Sequence, residues 1–184
     1  GIVHSSVHTS NRITVGDGSS LPITHIGHAY FPSTSTPISL SNILVSPELI
    51  TNLGFELTGA QQHVLKDISA DLAKASPMLR LLQGDVGSGK TVVAAVAAVQ
   101  AAENNLQAAI MAPTEVLAEQ HFVNFSHWLT PLGLTVAWLS GKVKGKARDH
   151  ELEKIQNGEA NIIVGTHALF QNDVIFHDLG LIVI

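Results

Sequence analysis

The eight residues Gly84-Asp85-Val86-Gly87-Ser88-Gly89-Lys90-Thr91 fit the pattern G-x-x-x-x-G-K-[ST] at every position. Each residue type in it has a chemical reason. Glycines let a loop curl until successive main-chain N–H groups face inward, and a helix starting behind the loop adds partial positive charge, so together they form a seat for an anion. Lys90 brings a point charge within reach of the β- and γ-phosphates of a nucleoside triphosphate, and the Thr91 hydroxyl is a ligand for the Mg2+ that accompanies it. The loop residues Gly84, Asp85, Val86, Gly87, Ser88, Gly89, Lys90 and Thr91 are therefore the expected nucleotide-binding set, with Lys90 and Thr91 as the catalytic pair and Thr91 as the metal ligand.

Such a loop works only between a strand and a helix, and its neighbours read that way. "MLRLLQG" before it predicts a strand, and "KTVVAAVAAVQAAE" after it an Ala-rich helix. Upstream, "FELTGAQQHVLKDISADLAK" has Thr58 placed as an N-cap and Gln61 three residues on, the spacing of a capping box, followed by Val64, Leu65, Ile68 and Leu72 on one helical face. Pro77 breaks the chain after it. Downstream, strands are expected in "QAAIMAP", "LTVAWLS", "ANIIVGT" and "LGLIVI", and helices in "EVLAEQHFVNFSHWL" and "ARDHELEKIQNG", the latter ended by Gly158. Apolar strands separated by helices predict a parallel sheet covered on both faces, and right-handed crossovers make it a doubly wound α/β layer.

Composition limits the alternatives. The 184 residues suffice for one good-sized domain, or one domain with an appendage, and 45% apolar against 14% charged residues can build a core. The absence of cysteine excludes a disulfide framework and a Cys-based zinc site, and it fits a reducing, cytoplasmic setting. Ten histidines offer no H-x-x-x-H pair on an expected helix, so no His-held metal is read. No apolar run reaches the ~20 residues that a membrane span needs, and the first ten residues lack the basic start and apolar centre of a signal peptide. Ten basic against fifteen acidic residues make the chain mildly anionic, so any nucleic-acid contact must come from a local patch. Lys142, Lys144, Lys146 and Arg148 are the basic cluster available. They could neutralise phosphates in a salt-dependent way, or they could be a solvated helix start muted by Asp149, Glu151 and Glu153. Trp128 and Trp138 sit in apolar patterns and read as core.

Residues 1–53 have a different texture from 54–184, with Arg12, Asp17 and Glu48 the charged residues in a Ser/Thr-rich background. Alternating residues on either side of Gly16-Asp17-Gly18 predict a β-hairpin, and "ISLSNILVSPELI" a third strand closed off by Pro47. The expectation is a small β-rich segment, 1–53, before the α/β unit, 54–184. "LPITHIGHAYF" followed by "LSNILVSPELITNL" resembles a segment of Copia-type retrotransposon polyproteins from their protease-like part. No Asp-Thr/Ser-Gly triplet occurs there, so no protease activity is implied, and a plain β-appendage is the alternative.

"FELTGAQQ", "GDVGSGKT", "MAPTEVLAEQH", "GKVKGKAR" and "IIVGTHALFQ", in that order, resemble the first motor domain of the RecG family of bacterial superfamily II DNA helicases, which remodel stalled forks. The resemblance implies a RecA-like P-loop NTPase layer with ATP and Mg2+ as cofactors and branched or fork-like DNA as partner. No membrane partner is expected, and no obligate protein partner is inferable from the sequence. Gln61 would then read adenine through its amide, with helix capping as its other reading. Pro113, Thr114 and Glu115 would form a turn that holds a DNA phosphate, and Gly165, Thr166 and His167 a second DNA-contacting turn. Transcription-repair coupling translocases share the "GDVGSGKT" and "GTH" elements and are the competing family. In the RecG family the strand matching "LGLIVI" continues into Asp-Glu-x-His, and this sequence stops at Ile184. The expectation is therefore a segment that binds ATP with little or no turnover, or a catalytically inactive nucleotide- or DNA-binding piece of a fused gene product.

Overall fold

Arg12–Thr14 (β1) and Ser20–Pro22 (β2) pair antiparallel, with Ile13 opposite Leu21, as the expected hairpin requires. The computed structural model describes residues 12–14, 20–22, 47–74 and 76–184, and of residues 12–14, 20–22, 47 and 48 the backbone alone. The turn at Gly16–Gly18 and the strand expected before Pro47 lie outside the described residues.

Pro47 does not close a strand: it opens a helix, α1 (Pro47–Leu53). Proline is well suited to a first helical position, where its missing N–H has no partner to lose. Leu49 and Leu53, one turn apart, are both buried in the main core, and Asn52 Nδ2 donates to the Trp128 carbonyl at 3.4 Å. Residues 47–53, read from the sequence with the β-rich segment, thus pack with the α/β layer.

α2 (Gly59–Leu72) begins with the expected capping box. Thr58 Oγ1 accepts from the Gln61 amide at 3.3 Å and Gln61 Oε1 accepts from the Thr58 amide at 2.8 Å, an arrangement that contributes about 1 kcal/mol. Leu65, Ile68 and Leu72 are buried as the 3.6-residue period demands. α3 (Lys90–Glu103) buries nine residues over its whole circumference, so it lies within the core and not on its edge.

The chain then alternates strand and helix: β3 (Gln107–Met111), α4 (Glu115–Leu129), a 3-10 turn (Thr130–Leu132), β4 (Val136–Leu139), α5 (Lys146–Gln156), β5 (Ile162–Gly165), a 3-10 turn (His167–Phe170) and β6 (Leu179–Val183). The four strands are parallel in the order β4-β5-β3-β6. Their two faces separate by the period of two. Ala108, Ile110, Ile162, Val164 and Leu181 join the large core with α1 to α4, while Ala137, Leu139 and Ile163 join Ile155 of α5 on the opposite face. Trp138 and Trp128 pack against the large core, Trp138 at 5.4 Å from the Phe122 ring and Trp128 at 6.3 Å from that of Phe125, as their apolar surroundings predict. The register between β3 and β6 shifts at Gly180, where a Cβ would lie 2.6 Å from Leu106 Cδ1.

One expected strand is absent. "MLRLLQG", residues 78–84, carries no strand and pairs with no strand of the four-stranded sheet. Met78 is buried while Leu79 is 62% exposed. An apolar run reports burial; a ladder needs a partner edge, which the run itself does not encode.

Candidate nucleotide and nucleic-acid site

The expected anion seat lies at the start of α3. Gly89, its N-cap, has φ +79° and offers no side-chain cap, unlike the threonines that cap α2 and α4. Lys90 and Thr91 stand in the first turn, where amide N–H groups have no partner inside the helix and favour an anion. The Lys90 ammonium donates to the carbonyls of Gly84 at 2.7 Å and Asp85 at 2.9 Å, which folds the side chain back over the loop. The Ser88 amide donates to the Asp85 carbonyl at 3.1 Å, closing the loop on itself. Gly87, at φ +84°, takes the left-handed turn that other residues resist, and Val86 stands fully exposed at the tip. The donor set fits a triphosphate with Mg2+: uncapped amides, one ammonium and the Thr91 hydroxyl gathered at one helix end.

Gln61 has the capping role, and its amide nitrogen is engaged at the glycine loop. Its Oε1 completes the cap of α2, and its Nε2 donates to the Ser88 carbonyl at 3.0 Å. A Cβ on Gly89 would lie 2.3 Å from that Nε2, so glycine at 89 is needed for this contact as well as for its φ.

The other expected residues gather at the carboxyl ends of the strands, where open α/β sheets form their crevices. The Ala112 amide donates to the Gly165 carbonyl at 2.9 Å and the Thr166 amide to the Leu139 carbonyl at 3.4 Å, which ties the ends of β3, β5 and β4 together. Gly165 permits that approach, since a Cβ would meet the Leu139 carbonyl oxygen at 2.0 Å. After β3, Pro113 and Thr114 are exposed, and Thr114 Oγ1 caps α4 by accepting from the Leu117 amide at 3.3 Å. After β5, His167 is exposed, whereas Gly165 and Thr166 are buried and Thr166 Oγ1 has no hydrogen-bond partner among the described residues.

The basic cluster is split. Lys142 forms an ion pair with Glu115, at the first residue of α4, and this carboxylate raises the lysine's pKa. Arg148 is turned inward onto Asp173 and Gln171. Lys144 and Lys146 are exposed. Two further residues make positioning contacts. Gln107, buried at the start of β3, donates from Nε2 to the carbonyls of Ile155 at 2.9 Å and Ala160 at 2.8 Å, and its Oε1 accepts from the amides of His177 at 2.7 Å and Asp178 at 3.3 Å. Asp71 accepts from Lys74 at 2.7 Å and from Arg80 Nη2 at 2.5 Å.

The ATP-dependent DNA helicase RecG of Haemophilus influenzae is 58% identical over 135 residues, 73% of this chain and 20% of the relative. That of Escherichia coli K12 is 52% identical over 148 residues, 80% of this chain and 21% of the relative. The chain thus spans about a fifth of the length of the curated relatives it matches. Among solved structures, Saccharomyces cerevisiae Dbp5 bound to RNA and ADP BeF3 shares the fold, with a TM-score of 0.50 at 20% identity over 70% of this chain and 32% of that one. The likeness supports the α/β RecA-like layer expected from the sequence. The family model for the DEAD/DEAH box helicases matches residues 58–184, from the capped start of α2 through the loop and every strand of the parallel sheet, and the chain belongs to that family.

Proposed function

We propose that this chain is an ATP-binding motor segment of a RecG-like ATP-dependent DNA helicase of superfamily II, acting on branched DNA in recombination and repair. The names of its relatives support the class, and one observation carries the nucleotide reading: α3 starts uncapped beneath a glycine loop whose lysine is already folded over it. In this reading the amides at the start of α3 and Lys90 take the phosphates, Thr91 holds Mg2+, and Gln61 stands beside Ser88 to meet adenine. Bound Mg2+ supplies the charge that eases phosphoryl transfer. Lys90 must leave the Gly84 and Asp85 carbonyls for the phosphates, exchanging neutral acceptors for anionic ones. The turns Pro113–Glu115 and Gly165–His167 lie side by side at the carboxyl ends of β3 and β5, where a DNA backbone can be held, and no helix among the described residues is long and apolar enough to cross a membrane.

The test is thermal unfolding against Mg-ATP. A ligand that binds only the folded form raises Tm as its concentration passes Kd, by RT ln(1 + [L]/Kd) in free energy. The unaltered chain should shift upward and Lys90→Ala should not; equal shifts in both, or none at millimolar ATP, would remove the nucleotide reading. Phosphate release with and without forked DNA then separates binding from turnover.

A further inference from the structure

The four cations of the 142–148 segment are not equivalent. Arg148 lies in the first turn of α5, and its side chain is only 14% exposed. Its Nε donates to Asp173 Oδ2 at 3.1 Å, and its Nη2 to Asp173 Oδ1 at 3.1 Å, to Oδ2 at 2.9 Å and to Gln171 Oε1 at 2.8 Å. The Nε–Nη2 edge is therefore filled, and the positive charge faces a carboxylate. Gln171 and Asp173 follow directly on the 3-10 turn His167–Phe170, whose Ala168 and Leu169 are buried with Ile155 and Leu139. Arg148 thus pins the outer end of a turn whose inner side is packed on α5 and the sheet. Lys142 is similarly paired, with Glu115. Lys144 and Lys146, on either side of Gly145, are exposed and have no ion pair among the described residues.

We propose that Arg148 is a positioning residue that fixes the turn after β5, and that Lys144 and Lys146 are the cations by which this segment takes hold of a DNA backbone. The lysine half rests on the DNA-binding reading above; the arginine half does not. A phosphate contact releases counterions and so lowers the salt dependence of binding when it is removed, whereas a positioning residue changes affinity without changing that dependence.

The test measures binding of a labelled forked duplex to the 184-residue chain by anisotropy across a KCl series, beside amide exchange by NMR. Lys144→Ala and Lys146→Ala should each flatten the slope of log K against log salt by about 0.9. Arg148→Ala should weaken binding at an unchanged slope, and Arg148→Asp combined with Asp173→Arg should restore most of the affinity. The amides of Leu169, Gln171 and Val174, bonded within this turn, should exchange faster in Arg148→Ala and recover in the double variant. A slope lowered by Arg148→Ala as by the lysine variants, or exchange left unchanged, overturns the positioning role. If the unaltered chain ignores the duplex, the lysine half falls together with the DNA reading, and amide exchange alone decides the arginine half.

Discussion

Gln61 donates to the Ser88 carbonyl across 27 residues of sequence, so the first turn of α2 and the glycine loop before α3 share one side chain. The same side chain completes the α2 cap through its other atom. Glutamate can replace the capping acceptor but not the amide donor, which allows the two roles to be separated. Gln61→Glu should keep the unfolding free energy to within about 0.5 kcal/mol while reducing the Tm shift caused by Mg-ATP. Gln61→Ala should lose about 1 kcal/mol from the cap as well. Equal ATP responses in the glutamate variant and the parent would show that the link to Ser88 is of no consequence for the nucleotide.

Gln107 fastens three elements that meet at the amino ends of the strands. All its side-chain hydrogen bonds go to main-chain groups: the end of α5, the approach to β5 and the approach to β6. Gln107→Leu fills the space but removes the partner of the Ala160 carbonyl and of two amides at a residue that is 3% exposed, while the Ile155 carbonyl keeps the Gly158 amide. At 1–3 kcal/mol for each polar group left without a partner, and with some relaxation toward water, the loss should be about 3 kcal/mol or more. Urea unfolding measures it, and a loss under about 1 kcal/mol would mean that water replaces the amide readily.

The helices and paired strands were legible in sequence where local chemistry decides them. Thr58 with Gln61 and Thr114 before Glu115 mark helix starts by their own hydrogen bonds, and the Ala-rich run of α3 has no competing conformation to favour. Runs such as "NIIVG" become strands because neighbours on both sides supply ladders. Residues 78–84 are equally apolar, and there the same rule fails, because pairing depends on an edge elsewhere in the chain. The glycine loop could be expected from its pattern alone, because each of its residues would act through its own backbone or charge. The basic cluster could be read only as charge. Asp173 lies 25 residues beyond Arg148, and nothing local distinguishes a guanidinium that is spoken for from a lysine that is free.

Asp71 takes over part of the fastening that the missing ladder would have given to residues 78–84. Near the end of α2, it holds Arg80, four residues before the glycine loop, at 3.0 Å from Nε and 2.5 Å from Nη2, and Lys74 at 2.7 Å. The Lys74 hydrogen bond foremost, then that of Arg80, lowers the Asp71 pKa below its ordinary value, and burial opposes this only in part. A carboxylate with a lowered folded pKa stabilises the fold above its unfolded value of about 3.9, and that stability is lost as pH falls through the folded value. Asp71→Asn should therefore cost about 1 kcal/mol at pH 7 and progressively less below about pH 4, where the parent loses the same contribution by protonation. Chemical denaturation of both proteins at pH 7, 5 and 3 tests the sign. Curves that stay parallel down to pH 3 would mean that the carboxylate's charge does not hold Arg80 in the segment entering the loop.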